Sequence, residues 1–398
     1  MRTDRSPGPL LRLAALAAAA AAATVVVSAA LELGRGHWGA ALVALPLLVA
    51  VLVAAIVSYR RLVLPAAVAV GLMVAAIATG GLVAWIDANW AVGVHVTAAG
   101  GALAASLVTL VVSFRGEALP LGPWRDYVTL TKPRIMSLLL ITGAGGWPGA
   151  VELLTMLVGL ALACGGASAL NHVIDRDIDK LMGSRTAARP VASGRVPAPR
   201  ALEFGLVLSA LSFALLASTV NVLTAVLALV GNLFYVVVYT GYLKRSTDQN
   251  IVIGGAAGAV PPLVGYAAAT GDLALPALWL FLIVFLWTPP HFWALALMIK
   301  DHYAAANVPM LPGTRGDAET TRQIVLYSVA LVAFTLVVGI WLGPLYTVAA
   351  AGLGAYFLFL AHRLRADASR RNAVLLFHYS LAYLALLFVA AAIDPLVV

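Results

Sequence analysis

Residues 153–180 read LLTMLVGLALACGGASALNHVIDRDIDK, an uncharged run followed at once by a cluster of acidic residues. The uncharged part is close to the length of about 20 residues with which a helix crosses the hydrocarbon core of a bilayer. An amide and three carboxyls follow within a few positions, at Asn171, Asp175, Asp177 and Asp179. We therefore predict a membrane helix over 153–171 that carries polar chemistry at one end.

The composition of the whole chain agrees with this interpretation. Of its 398 residues, 62% are hydrophobic and only 11% are charged, against about 25% charged residues in an ordinary soluble domain. A mean hydropathy of +0.98 excludes a soluble globular protein and predicts that lipid surrounds most of the chain. The net charge of +8 predicts no nucleic-acid partner, because the basic residues lie between apolar runs and not on one soluble face.

Hydropathy predicts thirteen membrane helices. They lie near residues 10–33, 38–58, 62–86, 91–114, 135–151, 153–171, 201–220, 222–242, 251–269, 276–298, 323–342, 344–362 and 373–393. The fifth is crowded with Gly and Pro in its second half, and without it the topology would shift by one span. When the N-terminus is placed inside, Arg35 alone among the 25 Lys and Arg residues falls in an outer connection. Because inner loops retain basic residues, we predict an all-α integral membrane protein with the N-terminus in and the C-terminus out.

A polar link at 115–134 separates the first four predicted helices from the last nine. We predict that residues 1–115 form an accessory four-helix membrane bundle and that residues 116–398 form the working domain. The inner loops at 172–200 and 299–322 are long and polar, whereas the outer connections are only a few residues long. No charged residue lies in the middle of a span, which argues against a transporter, since an ion path usually needs one.

Oxygen-bearing side chains recur every fourth residue at the end of the sixth predicted helix, at Asn171, Asp175 and Asp179. Residues four apart share one face of a helix, so these oxygens would form a stripe. Mg²⁺ prefers oxygen ligands and is usually bound through one or two carboxylates together with substrate phosphates. The stripe therefore predicts a Mg²⁺ site for a diphosphate. A helix end decorated with solvated acids is the alternative.

Basic residues follow the acidic stripe closely, at Lys180, Arg185 and Arg189. Guanidinium forks match phosphate oxygens, so Arg185 and Arg189 would hold the phosphate that the metal binds. Lys244 and Arg245, in the next inner loop, could also reach an anion. The preference of inner loops for basic residues would place the same charges there, but it does not explain the neighbouring acids.

A second polar motif ends the tenth predicted helix, where residues 287–293 read WTPPHFW. Two consecutive prolines break or kink a helix and free backbone carbonyls, which is tolerated inside a membrane where the chain lines a cavity. His291 would then lie in or beside that cavity, although a lone histidine is more often a packed, hydrogen-bonded residue. Asp301 would add a carboxylate at the inner face, opposite the stripe.

Together these motifs resemble the UbiA superfamily of intramembrane prenyltransferases, whose first aspartate-rich signature, N-x-x-x-D-x-x-x-D, stands here at Asn171, Asp175 and Asp179. Within the superfamily, the narrower resemblance is to the branch that farnesylates haem, and it covers 125–395. It rests on five further stretches: 130–134 (LTKPR), 185–190 (RTAARP), 250–262 (NIVIGGAAGAVPP), 287–293 (WTPPHFW) and 308–312 (VPMLP).

The resemblance implies a nine-helix bundle and an enzyme of the cell membrane with its active site at the cytoplasmic face. It implies a Mg²⁺-dependent transfer of the farnesyl group of farnesyl diphosphate to a vinyl group of haem b, giving haem O for oxidase biogenesis. A quinone precursor or another ring acceptor is the alternative among enzymes. A non-catalytic oxidase assembly factor or a transporter is the alternative outside them.

The resemblance also implies roles for individual residues. The metal ligands would be Asn171, Asp175, Asp179 and Asp301. The first three of these would act in catalysis together with Arg185 and Arg189. The substrates would contact Lys132, Arg134, Lys244, Arg245, His291, Asp301 and Tyr303. This chain departs from the usual second motif, because His302 stands where many members carry an aspartate before the tyrosine.

Residues 1–115 lie outside this resemblance. They resemble half of the bundle of haem A synthase, the enzyme that acts next in the same pathway. We therefore expect haem A synthase as a partner, besides the lipid bilayer itself.

Overall fold

The computed structural model describes residues 7–30, 36–83, 89–114, 119–144 and 150–397, and these residues contain helices but no strand. Twelve of the described helices are long and apolar enough to cross a membrane. This confirms the all-α membrane architecture, and the chain is therefore an integral membrane protein. The orientation, with the N-terminus in and the C-terminus out, stays a prediction.

The first four membrane helices match predicted spans: α1 (Pro9–Ala30), α2 (Gly36–Ser58), α3 (Arg60–Val83) and α4 (Asn89–Phe114). Two short helices follow, α5 (Trp124–Leu130) and α6 (Pro133–Gly143). Helix α6 stands where the fifth span was predicted, but its 11 residues rise only about 16 Å, too little to cross a bilayer core. The remainder of that predicted span, at 145–149, lies outside the described residues.

The acidic stripe lies where a long helix gives way to short ones. Helix α7 (Ala150–Ile174) ends one residue before Asp175, and α8 (Arg176–Leu181) begins one residue after it. The amide of Asp179 donates to the carbonyl of Asp175 at 2.8 Å, so the helical spacing of four continues across the junction. The predicted shared face of Asp175 and Asp179 is therefore preserved although the helix is interrupted.

The remaining helices alternate long spans with short polar segments. The short ones are α9 (Ser184–Ala187), α12 (Lys244–Ser246), α15 (Lys300–Ala305) and α16 (Leu311–Thr314). The long ones are α10 (Ala198–Thr219), α11 (Val222–Leu233), α13 (Asn250–Thr270), α14 (Leu275–Met298), α17 (Gly316–Leu342), α18 (Pro344–Ala366) and α19 (Arg370–Val397). All four short helices lie in or beside the loops that were predicted to be internal.

Helix α11 continues into a π-helix over Phe234–Leu243, which the sequence did not predict. In a π-helix each N–H bonds to the carbonyl five residues earlier, and such segments are rare and frequently lie at functional sites. The hydroxyl of Thr240 follows the same spacing, donating to the carbonyl of Tyr235 at 2.9 Å. Residues five apart, such as Tyr239 and Lys244, therefore lie one turn apart along this segment.

The described chain divides into two compact units. The first combines Met1–Lys132, Leu154–Val173 and Gly194–Leu229; the second combines Pro133–Leu153, Ile174–Ser193 and Val230–Val398. Within the first unit, α4 packs against α1, α3 and α10. Gly100 of α4 lies so close to Ala214 of α10 that a side chain there would collide with it, which shows why small residues line this contact.

The second unit has its core between α14, α17, α18 and α19, around the buried aromatic residues Trp293, Tyr346, Phe357 and Tyr383. A buried carboxylate closes one end of this core, since Asp394 accepts a hydrogen bond from the amide of Tyr346 at 3.0 Å at the start of α18. The predicted division of the chain into 1–115 and 116–398 stays a prediction.

Candidate active site

Two fully buried carboxylates form the centre of the candidate site in the second unit. Asp175 and Asp179 each have 0% of their surface exposed. Lys244, itself buried, donates from Nζ to Oδ2 of Asp175 at 2.5 Å. Arg189 donates from Nη1 to Oδ1 of Asp179 at 2.6 Å. Two of the three acidic residues predicted for the metal, and two of the basic residues predicted for the diphosphate, are thus brought together.

Burial and neighbouring charges both act on this pair. Burial raises the pKa of Asp179 above its ordinary value; Arg189 opposes the shift, and the charge of Asp175 adds to it. Two carboxylates that interact through a medium of low dielectric repel one another strongly. A hard divalent cation relieves such repulsion, and oxygen donors of this kind suit Mg²⁺.

Few protein side chains in the described part of the site could serve as metal ligands. Within the described residues, no three His, Cys, Asp or Glu side chains come together as a metal-binding group. Asp301 is exposed on α15, so the structure does not bring it into a cluster with Asp175 and Asp179, and its metal role stays a prediction. Two protein carboxylates fit Mg²⁺, which usually keeps several waters and takes further oxygens from substrate phosphates.

Two tyrosines lie near Asp175. Burial raises the pKa of Tyr303 to about 12, and the nearby charges of Arg189 and Asp175 also act on its hydroxyl. Tyr303 was predicted as a substrate contact, and it lies close enough to Asp175 to interact with it. Tyr239 of the π-helix interacts electrostatically with both Asp175 and Tyr303.

Tyr239 is the site residue that the sequence did not predict. Its ring packs against Gly254 of α13 so closely that a Cβ at Gly254 would overlap it. The glycine-rich stretch 250–262 therefore makes room for the ring of Tyr239 at Gly254. In the sequence, Tyr239 stands five residues before Lys244. This spacing places the two residues one turn apart only when the segment is known to be a π-helix.

Arg245, which was predicted to contact substrate, pairs in the structure with Asp177, and its substrate role stays a prediction. Its two terminal nitrogens donate to both oxygens of Asp177 at 2.7 Å, and Nη2 also donates to the carbonyl of Ile174 at 2.8 Å. The Arg245 guanidinium holds the pKa of Asp177 well below its usual range. This bidentate contact attaches Arg245, the residue next to Lys244, to the segment that carries Asp175, Asp177 and Asp179.

His302, which departs from the usual second motif, lies beside the loop between α8 and α9. Gly183 has a φ of 89°, a left-handed conformation that favours glycine. The ring of His302 lies only 3.2 Å from the position that a Cβ of Gly183 would take. His302 therefore packs on the backbone of this loop, beside the segment that leads to Arg185 and Arg189. Arg185 itself is exposed.

Two further motifs meet at Asn250. Its Nδ2 donates to the carbonyl of Thr247 at 2.7 Å and to the carbonyl of Pro309 at 3.2 Å. The stretch that begins at Asn250 and the stretch 308–312 are thereby joined by hydrogen bonds. This contact holds Pro309, which follows the segment that carries Tyr303, against the start of α13.

His291 is packed among aromatic rings. Its ring stacks on Trp287 at 4.3 Å and on Phe377 at 4.6 Å between centroids. Its Nδ1 lies 2.7 Å from Oγ of Ser380, and Nε1 of Trp287 donates to the carbonyl of the same serine. Because both faces of the imidazole are covered, only the Nε2 edge could contact a substrate.

The first unit contains two more of the predicted site residues. Nζ of Lys132 donates to Oδ1 of Asn171 at 2.8 Å, and Asn171 is buried. Lys132 has a φ of 51°, which is unusual for a residue other than glycine and places a sharp turn immediately before Pro133. The side chain of Arg134 lies outside the described residues. Asn171 thus accepts a hydrogen bond from Lys132, and its role as a metal ligand stays a prediction.

Comparison with known proteins identifies the family. The model of the UbiA prenyltransferase family matches residues 135–389. The chain belongs to the UbiA prenyltransferase family. That match contains Asp175, Asp179, Arg189 and Lys244, so the buried carboxylates and their basic partners lie in the UbiA region.

Relatives with curated names are about 50% identical to this UbiA chain over the stretch that aligns. The protoheme IX farnesyltransferase of Roseiflexus castenholzii is 51% identical over 279 residues, which cover 68% of this chain and 52% of that protein. The chain thus spans about half the length of that relative. Protoheme IX farnesyltransferase 1 of Pseudomonas fluorescens is 49% identical over 288 residues, 70% of this chain and 96% of that protein.

A solved structure confirms the fold. A UbiA homologue from Archaeoglobus fulgidus, whose structure was solved bound to GPP and Mg²⁺, superposes with a TM-score of 0.55. The superposition covers 67% of this chain and 99% of the homologue, at 16% sequence identity. The likeness at this identity shows a shared helical fold.

Proposed function

We propose that this chain transfers the farnesyl group of farnesyl diphosphate to a vinyl group of haem b and releases haem O and diphosphate. The observation that carries the proposal is the pair of buried carboxylates, Asp175 and Asp179, each held by a basic side chain. Over 68–70% of its length, this chain is about 50% identical to proteins named protoheme IX farnesyltransferase, and the pair lies within the matched family region. A haem acceptor is inferred from those relatives.

The donor would bind through its diphosphate. Asp175 and Asp179 would hold Mg²⁺, with Asn171 and Asp301 as the further ligands that the sequence proposes. The bound metal would supply electrostatic stabilisation of the leaving diphosphate. An ammonium has three N–H donors and a guanidinium has five, so Lys244 and Arg189 can hold their carboxylates and a phosphate oxygen at the same time. Arg185 would add a further contact from the exposed loop.

The transfer itself requires no protein nucleophile. The allylic C–O bond of the donor breaks and its electron pair leaves with the diphosphate, which Lys244 and Arg189 stabilise as its negative charge grows. The π electrons of the haem vinyl group form the new C–C bond to the farnesyl carbon. Water then adds to the cation left beside the porphyrin ring and loses a proton, which completes a hydroxyethylfarnesyl group.

The tyrosines and the membrane helices would protect the farnesyl cation. Tyr239 and Tyr303 present neutral aromatic rings near Asp175, and electron-rich aromatic faces attract cations. Premature attack by water would consume the donor, so a site that excludes water is needed. We place the farnesyl chain among the apolar helices and the porphyrin at the Nε2 edge of His291, with Lys132 and Arg134 as further substrate contacts.

We also propose the setting of the reaction. The chain would lie in the cytoplasmic membrane with the carboxylate pair at the cytoplasmic face, which the placement of Lys and Arg supports. Haem A synthase would receive the haem O. Arg245 would contribute indirectly, since its contacts to Asp177 and Ile174 hold Lys244 in place.

The test is conversion of haem b in membranes of a host that makes no haem O of its own. Membranes that contain the chain are incubated with haem b, farnesyl diphosphate and Mg²⁺, and the extracted haem is analysed by mass spectrometry. We expect haem O from the natural chain and none from Asp175→Ala. Haem b that stays unmodified while farnesyl diphosphate is consumed on an added quinone precursor would assign another acceptor.

A matched control for Asp175→Ala is Asp272→Asn. Helix α13 has 21 residues and is therefore about 30 Å long. It begins at Asn250, and the exposed Asp272 lies just beyond its other end. The control should keep full activity. If neither donor nor haem is consumed by the natural chain, the assembly-factor alternative replaces the proposal.

A further inference from the structure

A groove in the first unit combines an apolar wall with two arginines. It encloses about 380 Å³ between α3 and α4 and is lined by Arg61 and Arg200 together with apolar side chains. The apolar lining includes Leu64 and Val68 on α3 and Val108 and Val112 on α4. Nothing in the proposed transfer reaction uses this groove.

The two arginines stand at a membrane boundary. Arg61 begins the span Arg61–Gly81, and Arg200 is the third residue of the span Ala198–Thr219. Helix α4 ends at Phe114, near the same boundary, where Arg12 of α1 donates to the carbonyl of Ser113 at 3.3 Å. The mouth of the groove is therefore positively charged and lies where lipid headgroups lie.

The apolar wall runs from this mouth into the membrane. Leu64 and Val68 follow Arg61 by three and seven residues, so they lie below it on the same face of α3. Seven residues of helix extend about 10 Å. Leu64 is 73% exposed and Val68 is 44% exposed, which leaves the wall open to a chain lying along it. A charged mouth above an apolar wall has the shape of a headgroup above an acyl chain.

The charge at the mouth favours an anion. Arg200 donates to Glu203 and to the carbonyl of Leu119, each at 3.0 Å. These contacts engage Nη1 and Nη2, and a guanidinium has five N–H donors, so Arg200 retains capacity for a phosphate oxygen. Counting Glu203, the two arginines still leave a net positive charge. A zwitterionic headgroup would gain less from it than an anionic one.

From this we propose that the groove between α3 and α4 binds one anionic phospholipid, with its phosphate between Arg61 and Arg200 and an acyl chain along Leu64, Val68, Val108 and Val112. This site gives the first unit a lipid-binding role that is separate from the transfer reaction. Attraction to an anionic membrane surface contributes about 1 kcal/mol for each Lys or Arg, or about fivefold in affinity.

Native mass spectrometry of the full chain tests the site. Purified protein is released from nanodiscs that contain equal amounts of phosphatidylglycerol and phosphatidylcholine with the same acyl chains. We expect phosphatidylglycerol to stay bound in preference, and Arg61→Gln and Arg200→Gln each to reduce that preference about fivefold. Arg371→Gln, which removes an exposed arginine at the start of α19, should leave the preference unchanged. Equal retention of both lipids by the natural chain would overturn the proposal.

A second variant covers the case in which the arginine variants fail to fold. Val68→Trp keeps both arginines and fills the groove, so it should displace the bound phosphatidylglycerol while the protein keeps its Tm within a few degrees. Binding that survives Val68→Trp would overturn the site. Displacement of the lipid by glycerol phosphate alone at equal concentration would also overturn it, because the apolar wall would then contribute nothing.

Discussion

Replacing Lys244 by methionine tests the pairing on which the proposed reaction depends. The ammonium of Lys244 lies 2.5 Å from Asp175, and both residues are buried. Removal of one partner of a buried ion pair leaves the other charge without compensation and costs about 3–5 kcal/mol of stability. Loss of one preorganised donor to a developing negative charge typically lowers kcat by about 10²–10³. We therefore expect Lys244→Met to lower both the free energy of unfolding and the rate of haem O formation by these amounts.

The double variant Asp175→Asn, Lys244→Met separates the two effects. It contains neither buried charge, so its free energy of unfolding should exceed that of Lys244→Met alone. Its activity should stay as low as that of either single variant, because both groups act on one leaving group and their effects on the rate are not additive.

Lys300→Met provides the matched control. Lys300 is paired with Asp317 at 2.7 Å, but their side chains are 41% and 36% exposed. An exposed pair contributes only about 0–1 kcal/mol, and Lys300 is not part of the proposed reaction. Unfolding would be followed by far-UV circular dichroism in detergent, and activity by mass analysis of extracted haem. Activity of Lys244→Met within threefold of that of Lys300→Met would refute the reasoning.

Three further predictions concern separate parts of the structure. The added methyl group of Gly254→Ala would collide with the ring of Tyr239, so this variant should lower haem O formation at least about tenfold (1.4 kcal/mol). Gly258→Ala is its control and should be neutral, because a Cβ at Gly258 would meet no atom within 4 Å. Arg315 lowers the pKa of Asp248, so this pair should stabilise the fold above about pH 4, the ordinary range of a carboxyl. That contribution is lost as the pH falls through the lower folded-state pKa, and a Tm difference between Asp248→Asn and the natural chain that did not shrink as the pH falls below about 4 would contradict this. Chelation by EDTA should abolish haem O formation and added Mg²⁺ should restore it; full activity in EDTA would contradict the metal role.

The membrane architecture and the acidic stripe were open to prediction because they depend on local patterns. An apolar run of the length of a bilayer predicts a span wherever it occurs, and a spacing of four predicts a shared face even where α7 gives way to α8 at Asp175. The predicted span 135–151 stays a prediction, because α6 covers only its first part and residues 145–149 lie outside the described residues.

The partners of the charged residues were not open to prediction. The sequence placed Arg245 near an anion but gave no reason to choose Asp177, 68 residues away, over a diphosphate. Likewise, an α-helix and a π-helix have the same hydropathy, so the role of Tyr239 depends on a backbone hydrogen-bond pattern that composition does not reveal. The contact of His302 with Gly183 is also a long-range contact, visible only in the folded chain.

Binding of farnesyl diphosphate to the purified protein tests the central claim most directly, because it isolates the buried carboxylates from the later chemistry. Calorimetric titrations with and without Mg²⁺ would be compared for the natural chain and for Asp179→Asn. The account predicts that Mg²⁺ strengthens donor binding at least about tenfold (1.4 kcal/mol) in the natural chain and has no effect in Asp179→Asn. Equal affinity of the natural chain with and without Mg²⁺ would contradict it.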